Sequence, residues 1–309
     1  MTKIKIIIIL LIVGFSFNVK AQQTPQFTQY MYNMSIINPA YTTGQTEAIN
    51  FGLIHRKQWT GLNGPLTTSF FAHKAFTDNV EAGISFTNDK VGNFLHSKNI
   101  NADYAYKLNL GNQRSLSFGI KAGVNIYDTD FSSVELESTT PDKAFENDIS
   151  KAFLNFGLGA YYNTDKFYAG LSVANLINSK HIDVSNGEYV GREAMVSYLT
   201  AGYVFNLSDQ FKLKPAFMTK YVQGSPISLD ATANILYNNR IELGAGYRLE
   251  ESFSGLINIR ITPELRIGYA YDRITNNLNA VTSASHEFIL LYDLGLLFNK
   301  GYDKSPRFF

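Results

Sequence analysis

From residue 48 to residue 296, apolar and polar side chains alternate with a period of two. In the run Leu116, Phe118, Ile120, Ala122, Val124, Ile126 every even position is apolar, while Ser117, Gly119, Lys121, Gly123 and Asn125 fill the odd ones. Ile241, Leu243, Ala245, Tyr247 and Leu249 alternate in the same way with Glu242, Gly244, Gly246, Arg248 and Glu250. Successive side chains of a strand point to opposite faces, so each stretch has one apolar and one polar face. About fourteen such segments recur, each of roughly ten residues, the length a tilted strand needs to cross a bilayer. They fall at 48–59, 67–76, 81–91, 99–110, 115–130, 151–163 and 167–177. The others fall at 194–207, 211–222, 228–238, 240–250, 252–262, 265–274 and 284–296. No stretch sustains a helical period, and the expectation is an all-β fold.

A soluble β-sandwich also alternates, with its apolar faces inside. Two features favour an antiparallel transmembrane β-barrel. Glycine crowds the polar face at Gly83, Gly119, Gly123, Gly157, Gly159, Gly202, Gly244, Gly246 and Gly268, as a crowded lumen or curved strands require. The connections also alternate in length. Those near 77–80, 111–114, 164–166, 208–210, 239 and 263–264 read as tight turns, and those near 92–98, 131–150, 178–193 and 275–283 as long loops. Short periplasmic turns with longer extracellular loops are the outer-membrane pattern. Two connections due on the long side, at 60–66 and 251, are short and fit it less well. Closure follows from backbone chemistry, because an unpaired amide in hydrocarbon costs several kcal/mol and a closed sheet has no edges. An even strand number would bring both chain ends to the periplasmic side.

The ends refine this picture. Residues 1–21, MTKIKIIIILLIVGFSFNVKA, read as a secretory signal, with Lys3 and Lys5 before an apolar run and small residues ahead of the cleavage point. A single membrane anchor is the alternative, but the run is shorter than the roughly 20 residues a spanning helix needs. Cysteine is absent, which excludes disulfides, thiolate metal sites and a lipid-bearing N-terminal cysteine. The whole chain carries +1; without Lys3, Lys5 and Lys20 the remainder carries −2, a balance that suggests no nucleic-acid partner. Aromatic residues make up 14% of the chain, a supply that girdles at two membrane interfaces would use.

Catalytic patterns are absent. The five histidines, His55, His73, His96, His181 and His286, form no HExxH or comparable metal spacing. His286 and Glu287 are neighbours on one strand, so they point to opposite faces and cannot act as a pair. No phosphate loop or nucleophile elbow is present, and neither enzyme activity nor a cofactor or metal is expected. The polar face carries Asp103, Lys107, Lys121, Asp230, Glu242, Arg248, Arg260, Arg266 and Asp272. These charges either lace the lumen with stiffening pairs or line a solute pathway. The acidic residues of the 131–150 loop and its edge (Asp130, Glu135, Glu137, Asp142, Glu146, Asp148) read as a solvated face, a calcium site or a protein contact.

The segment before the first strand carries a more specific signal. "PQFTQYMYNMSIINPAYTTG", with Gln29, Tyr30, Asn33, Asn38, Pro39 and Ala40, is followed by "HRKQWTGLNGPLTTSFFAH", with Gln58, Trp59 and Gly61. Later come "GLSVANLIN", "GYRL", "RIGYAYD" with Tyr269, Tyr271 and Asp272, "SHEFILLYD" with His286 and Glu287, and a terminal "SPRFF". In this order, over nearly the whole length, the chain resembles the PorP/SprF family of type IX secretion outer-membrane proteins. One departure is Ala174, where the family pattern has proline. The resemblance implies an outer-membrane partner of the type IX machinery of gliding and related Gram-negative bacteria. Some members are needed to secrete or attach one large adhesin-like protein through its C-terminal domain.

Three regional expectations follow. Residues 22–47 fold back to occupy or cap the lumen from the periplasmic side, or else form a periplasmic platform for another machine component. Tyr30, Met31, Tyr32, Met34, Ile36 and Ile37 are too apolar for a free tail, and Asn38-Pro39 ends the segment in an extended or turn conformation. The barrel spans 48–296 and a C-terminal tail follows at 297–309. The extracellular loops, chiefly 131–150 and 178–193, contact cargo, with Phe131, Phe145 and Tyr189 as candidate contacts. The competing function is an outer-membrane channel for small or hydrophobic solutes.

Overall fold

The computed structural model describes residues 25–43, 46, 48–131, 148–177, 180–184, 188–192, 194–223, 225–282 and 284–295. The expected signal at 1–21, the tail at 297–309 and Phe145 lie outside the described residues, as does the side chain of Tyr189.

The chain is a closed antiparallel barrel of fourteen strands. The first seven are β1 (Ile49–Lys57), β2 (Leu66–Ala75), β3 (Val80–Val91), β4 (Leu95–Gly111), β5 (Arg114–Thr129), β6 (Ser150–Asn163) and β7 (Phe167–Val173). A separate hairpin, β8 (Lys180–Val184) with β9 (Glu188–Arg192), stands in the connection that follows. The wall resumes with β10 (Val196–Tyr203), its short continuation β11 (Phe205–Asn206), β12 (Phe211–Val222) and β13 (Ser228–Tyr237). It ends with β14 (Ile241–Arg248), β15 (Ser252–Arg260), β16 (Leu265–Ile274) and β17 (Ala284–Leu294). Each strand pairs with its neighbour in sequence, β7 with β10 across the hairpin, and β1 closes the ring on β17 from Ile49 opposite Leu294 to Lys57 opposite His286.

One end of the ring, here the turn end, carries the connections 76–79, 112–113, 164–166, 207–210, 238–240 and 261–264. The other, the loop end, carries 58–65, 92–94, 130–149, 174–195, 223–227, 249–251 and 275–283. The expected long connection at 92–98 is corrected. Leu95 already pairs with Val91, and Gly92, at φ +61°, turns the chain in a conformation that suits glycine. The strand signal there was weak because Leu95 to Asn99 holds mostly polar residues. On the turn end, Asn238 and Asn239 both take positive φ, the two-residue hairpin geometry that matches strand twist.

Burial is inverted relative to a soluble sandwich. Leu154 is 62% exposed and Ile84 58%, whereas Glu242 is 1% exposed and Arg56 2%. An apolar outer wall around a charged interior is the arrangement lipid demands. Outward aromatic pairs gather near both ends: Tyr203 with Phe205 and Phe211 with Tyr237 toward the turns, Tyr247 with Phe253 toward the loops. Aliphatic side chains such as Ile120, Leu158, Leu199 and Leu243 fill the band between them. The principal buried apolar cluster lies inside the ring, where Phe27, Tyr30, Met31, Tyr32, Met34, Ile37 and Tyr41 pack on Ile54, Tyr161, Tyr168, Met218 and Ile289.

Candidate functional site

Residues 25–43 run inside the barrel and touch inward-facing side chains around most of its circumference. A turn of 3-10 helix, Tyr30–Tyr32, leads through Asn33 into one α-helical turn, Met34–Ile37. Both are too short to persist alone, so wall contacts hold them. These contacts begin near the loop end. The backbone amides of Thr28 and Gln29 donate to the two carboxylate oxygens of Glu287, each at 2.8 Å. The Thr28 hydroxyl donates to Asp272 at 2.6 Å. Arg56 donates to the Thr28 hydroxyl at 2.7 Å and to Asp272 and Glu287 at 2.6 and 3.0 Å. One guanidinium on β1 therefore bridges carboxylates on β16 and β17 and clamps the segment between them. All four residues are buried, where breaking an ionic cluster is penalised more than at the surface.

Four residues on, the segment has reached the turn ends of β12, β14 and β16. The Tyr32 hydroxyl donates to Glu242 at the start of β14. Lys214 and Arg266, at the starts of β12 and β16, lie 5.5 and 5.8 Å from the centre of the Tyr32 ring. The helical turn then crosses the lumen. Lys121 on β5 donates to the carbonyls of Ser35 and Ile36 at 3.3 and 2.7 Å, and Ser172 on β7 donates to that of Ile37 at 2.8 Å.

The Asn38-Pro39-Ala40 turn fits a recess made by glycines. Asn38 is extended, its side chain donates to the Ala160 carbonyl at 3.0 Å, and its own oxygen accepts the Ala40 amide at 2.9 Å. A Cβ on Gly159 would overlap the Asn38 side chain, and one on Gly119 would overlap the Pro39 carbonyl. Close approach of the segment thus requires glycine at both wall positions. Tyr41 packs edge-on against Tyr161, with ring centres 5.4 Å apart. Thr43 leaves by way of Glu81, whose carboxylate accepts its amide at 2.8 Å near the turn end, where β1 begins.

Among the described residues, cavities flank the segment at both ends. One of about 380 Å³ opens at the loop end, with Pro25, Gln26, Arg56, Trp59, Glu251 and Asp272 among its lining. The other, about 40 Å³, sits at the turn end against Tyr32, Tyr41, Arg260 and Asp293. Strand β16 gives Asp272 and Ile274 to the first and Leu265 and Arg266 to the second, so they lie at opposite ends of the wall.

The motif residues separate into three groups. Gln29, Tyr30, Asn33, Asn38, Pro39 and Ala40 are buried in the lumen, where Asp272 and Glu287 meet the segment directly. Gln58, Trp59 and Gly61 shape the first loop: the Gln58 amide donates to the Pro65 carbonyl at 2.8 Å, and Trp59 and Gly61 take positive φ. Tyr269, Tyr271 and His286 sit on the outer wall, with the Tyr269 hydroxyl 2.7 Å from His286 Nδ1 and Tyr271 edge-on to the same ring. His286 and Glu287 do lie on opposite faces. Phe131 is 5% exposed and stacks on Phe94, so its ring packs the loop base and is not presented to a partner. Thr28, Arg56, Tyr32 and Lys121 hold the segment to the wall and lie outside the family-motif positions, although Tyr32 and Lys121 were expected inside the ring. Arg56 had a signal, since it falls on the inward parity of β1 between Ile54 and Gln58.

The segment runs between the two ends of the ring. Pro25 and Gln26 lie in the loop-end cavity, and only the stretch near Thr43 lies at the turn end.

Solved structures confirm the architecture. The toluene transporter TbuX of Ralstonia pickettii aligns with a TM-score of 0.52 at 13% identity, over 84% of this chain and 92% of that one. The toluene transporter TodX of P. putida aligns with a TM-score of 0.50 at 10% identity, over 84% and 93%. At these identities the likeness is one of fold. A search among curated proteins finds no match. The profile described as type IX secretion system membrane protein PorP/SprF matches residues 19–292. That match spans the lumen segment and the barrel wall almost to the end of β17, and the chain belongs to the PorP/SprF family of outer-membrane type IX secretion proteins.

Proposed function

We propose that this chain serves type IX secretion as an outer-membrane partner or surface anchor for a secreted adhesin-like protein, which it holds through that protein's C-terminal domain. Its lumen is plugged by its own N-terminal segment, and it performs no catalysis. Export follows removal of residues 1–21, and the loop end faces outward. What supports this reading is that residues 25–43 lie within the ring, hydrogen-bonded to the wall from Thr28 to Thr43. A filled barrel offers partners its rims rather than a path. A conduit for small or hydrophobic solutes would need an opening past Thr28 and Arg56, where side chains instead meet at hydrogen-bond distance.

The loops around 131–150 and 178–193 form the partner face. With Phe131 packed inward, Phe145, Tyr189 and the acidic residues of the first loop are the groups offered to the cargo. Replacing both loops with those of a paralogue, in cells lacking the native protein, tests this. Secretion and surface attachment should switch to the paralogue's adhesin. If cargo choice instead follows the wall or the N-terminal segment, the loop assignment fails.

A further inference from the structure

We infer that the N-terminal segment threads the barrel from its outer mouth to its inner one, so that the chain at Pro25 and Gln26 is displayed at the cell surface. This rests on the outward orientation proposed for the loop end. Three observations fix the direction. Gln26 accepts a hydrogen bond from Arg248 at 3.1 Å, and Arg248 is the last residue of β14, which runs from the turn end to the loop end. Thr28 binds Asp272, near the loop end of β16, whereas the Tyr32 ring lies 5.8 Å from the guanidinium of Arg266, near the turn end of the same strand. Thr42 and Thr43 then bind Ser117 and Glu81, close to the turn-end starts of β5 and β3. The path is therefore down one wall, across at Ser35 to Asn38, and out beside β1.

Pro25 and Gln26 form part of the lining of the loop-end cavity of about 380 Å³, together with Trp59, Pro226 and Ile227. Its charged members are Arg56 and Lys220 against Asp89, Glu250, Glu251 and Asp272. The loop-end mouth thus carries the leading end of the segment among the 58–65, 223–227 and 249–251 connections, and a polypeptide docking there meets it. Threading also constrains assembly. A segment that reaches both mouths must be in place before β1 pairs with β17, or its leading end must be pushed through the finished ring.

The natural absence of cysteine makes this directly measurable. Single-cysteine variants Gln26→Cys and Pro25→Cys report the leading end, Pro226→Cys the loop end and Asp209→Cys the turn end. Each is treated with a membrane-impermeant maleimide on intact cells and again after the outer membrane is permeabilised. The expected result is labelling at 25 or 26 and at 226 in intact cells, with 209 labelled only after permeabilisation. Labelling of 226 alone in intact cells, with 25 and 26 joining 209 or never reacting, overturns the threading. Labelling of 209 in intact cells with 226 silent overturns the orientation. Heat-modifiable migration of each variant verifies that the barrel has folded, and because the labelling does not depend on conductance, a failed plug gives a different signature.

Discussion

Arg56 of β1 and Asp272 of β16 meet at 2.6 Å in a lumen where both side chains are almost fully removed from solvent. β17 lies between their strands, and its Glu287 takes the other end of the same guanidinium. The cluster thus ties the ring together at its β1–β17 closure and fastens Thr28 to it. Removing the cation leaves two buried carboxylates with the hydrogen bonds of Thr28 and Gln29 but without their bridging guanidinium. Arg56→Met should lower unfolding stability by about 3–5 kcal/mol, the usual cost of breaking a buried ion pair. Denaturant titration of the purified barrel in detergent reads this; a loss near zero would mean the interior is wetter than its geometry implies.

Tyr32 tests the other anchor. Tyr32→Phe keeps the ring between Lys214 and Arg266 but removes the donor to Glu242, and should cost about 1–3 kcal/mol for a buried acceptor left short of a partner. Tyr32→Ala also removes the packing and should cost more. If both variants unfold at the wild-type denaturant midpoint, the turn-end anchor contributes nothing.

The glycine recess is specific to the Asn38-Pro39-Ala40 turn. Gly159→Val should dislodge Asn38 from the Ala160 carbonyl and expose the segment to added protease while the strands remain protected. Overpacking of this kind costs about 1–3 kcal/mol. A segment equally protected in the variant and the wild type would contradict the close fit.

The outer wall obeys the opposite rule. Leu154→Arg places a charge toward lipid and should be destabilising, by up to about 2–4 kcal/mol and less the nearer the position lies to an interface. Asn155→Ser, one residue along and inward, should have little effect. Equal effects at the two positions, measured by unfolding in liposomes, would contradict the assignment of faces.

The barrel was legible because its physics is local. Alternation such as Leu116 to Ile126 assigns a strand and both its faces with no knowledge of neighbours, and every one of the fourteen segments became a wall strand. The hairpin β8–β9 escaped because KHIDV and EYVGR are short, and its ladder carries register shifts. The lumen cluster escaped for a different reason. Thr28, Arg56, Asp272 and Glu287 are separated by up to 259 positions and meet only when the ring closes. Asp272 and Glu287 stood within recognisable motifs, but nothing in the sequence says that Arg56 joins them. The direction in which residues 25–43 run was likewise invisible, because apolar content in Tyr30 to Ile37 predicts burial without indicating which end of the wall each residue meets.

Single-channel recording in planar bilayers tests the filled lumen most directly. Deleting residues 24–40 removes the Thr28 clamp, the Tyr32 anchor and the glycine-seated turn while leaving the wall intact. The deleted barrel should show a clearly raised conductance over a nearly silent full-length protein. Equal conductance in the two proteins would contradict a plugged bore.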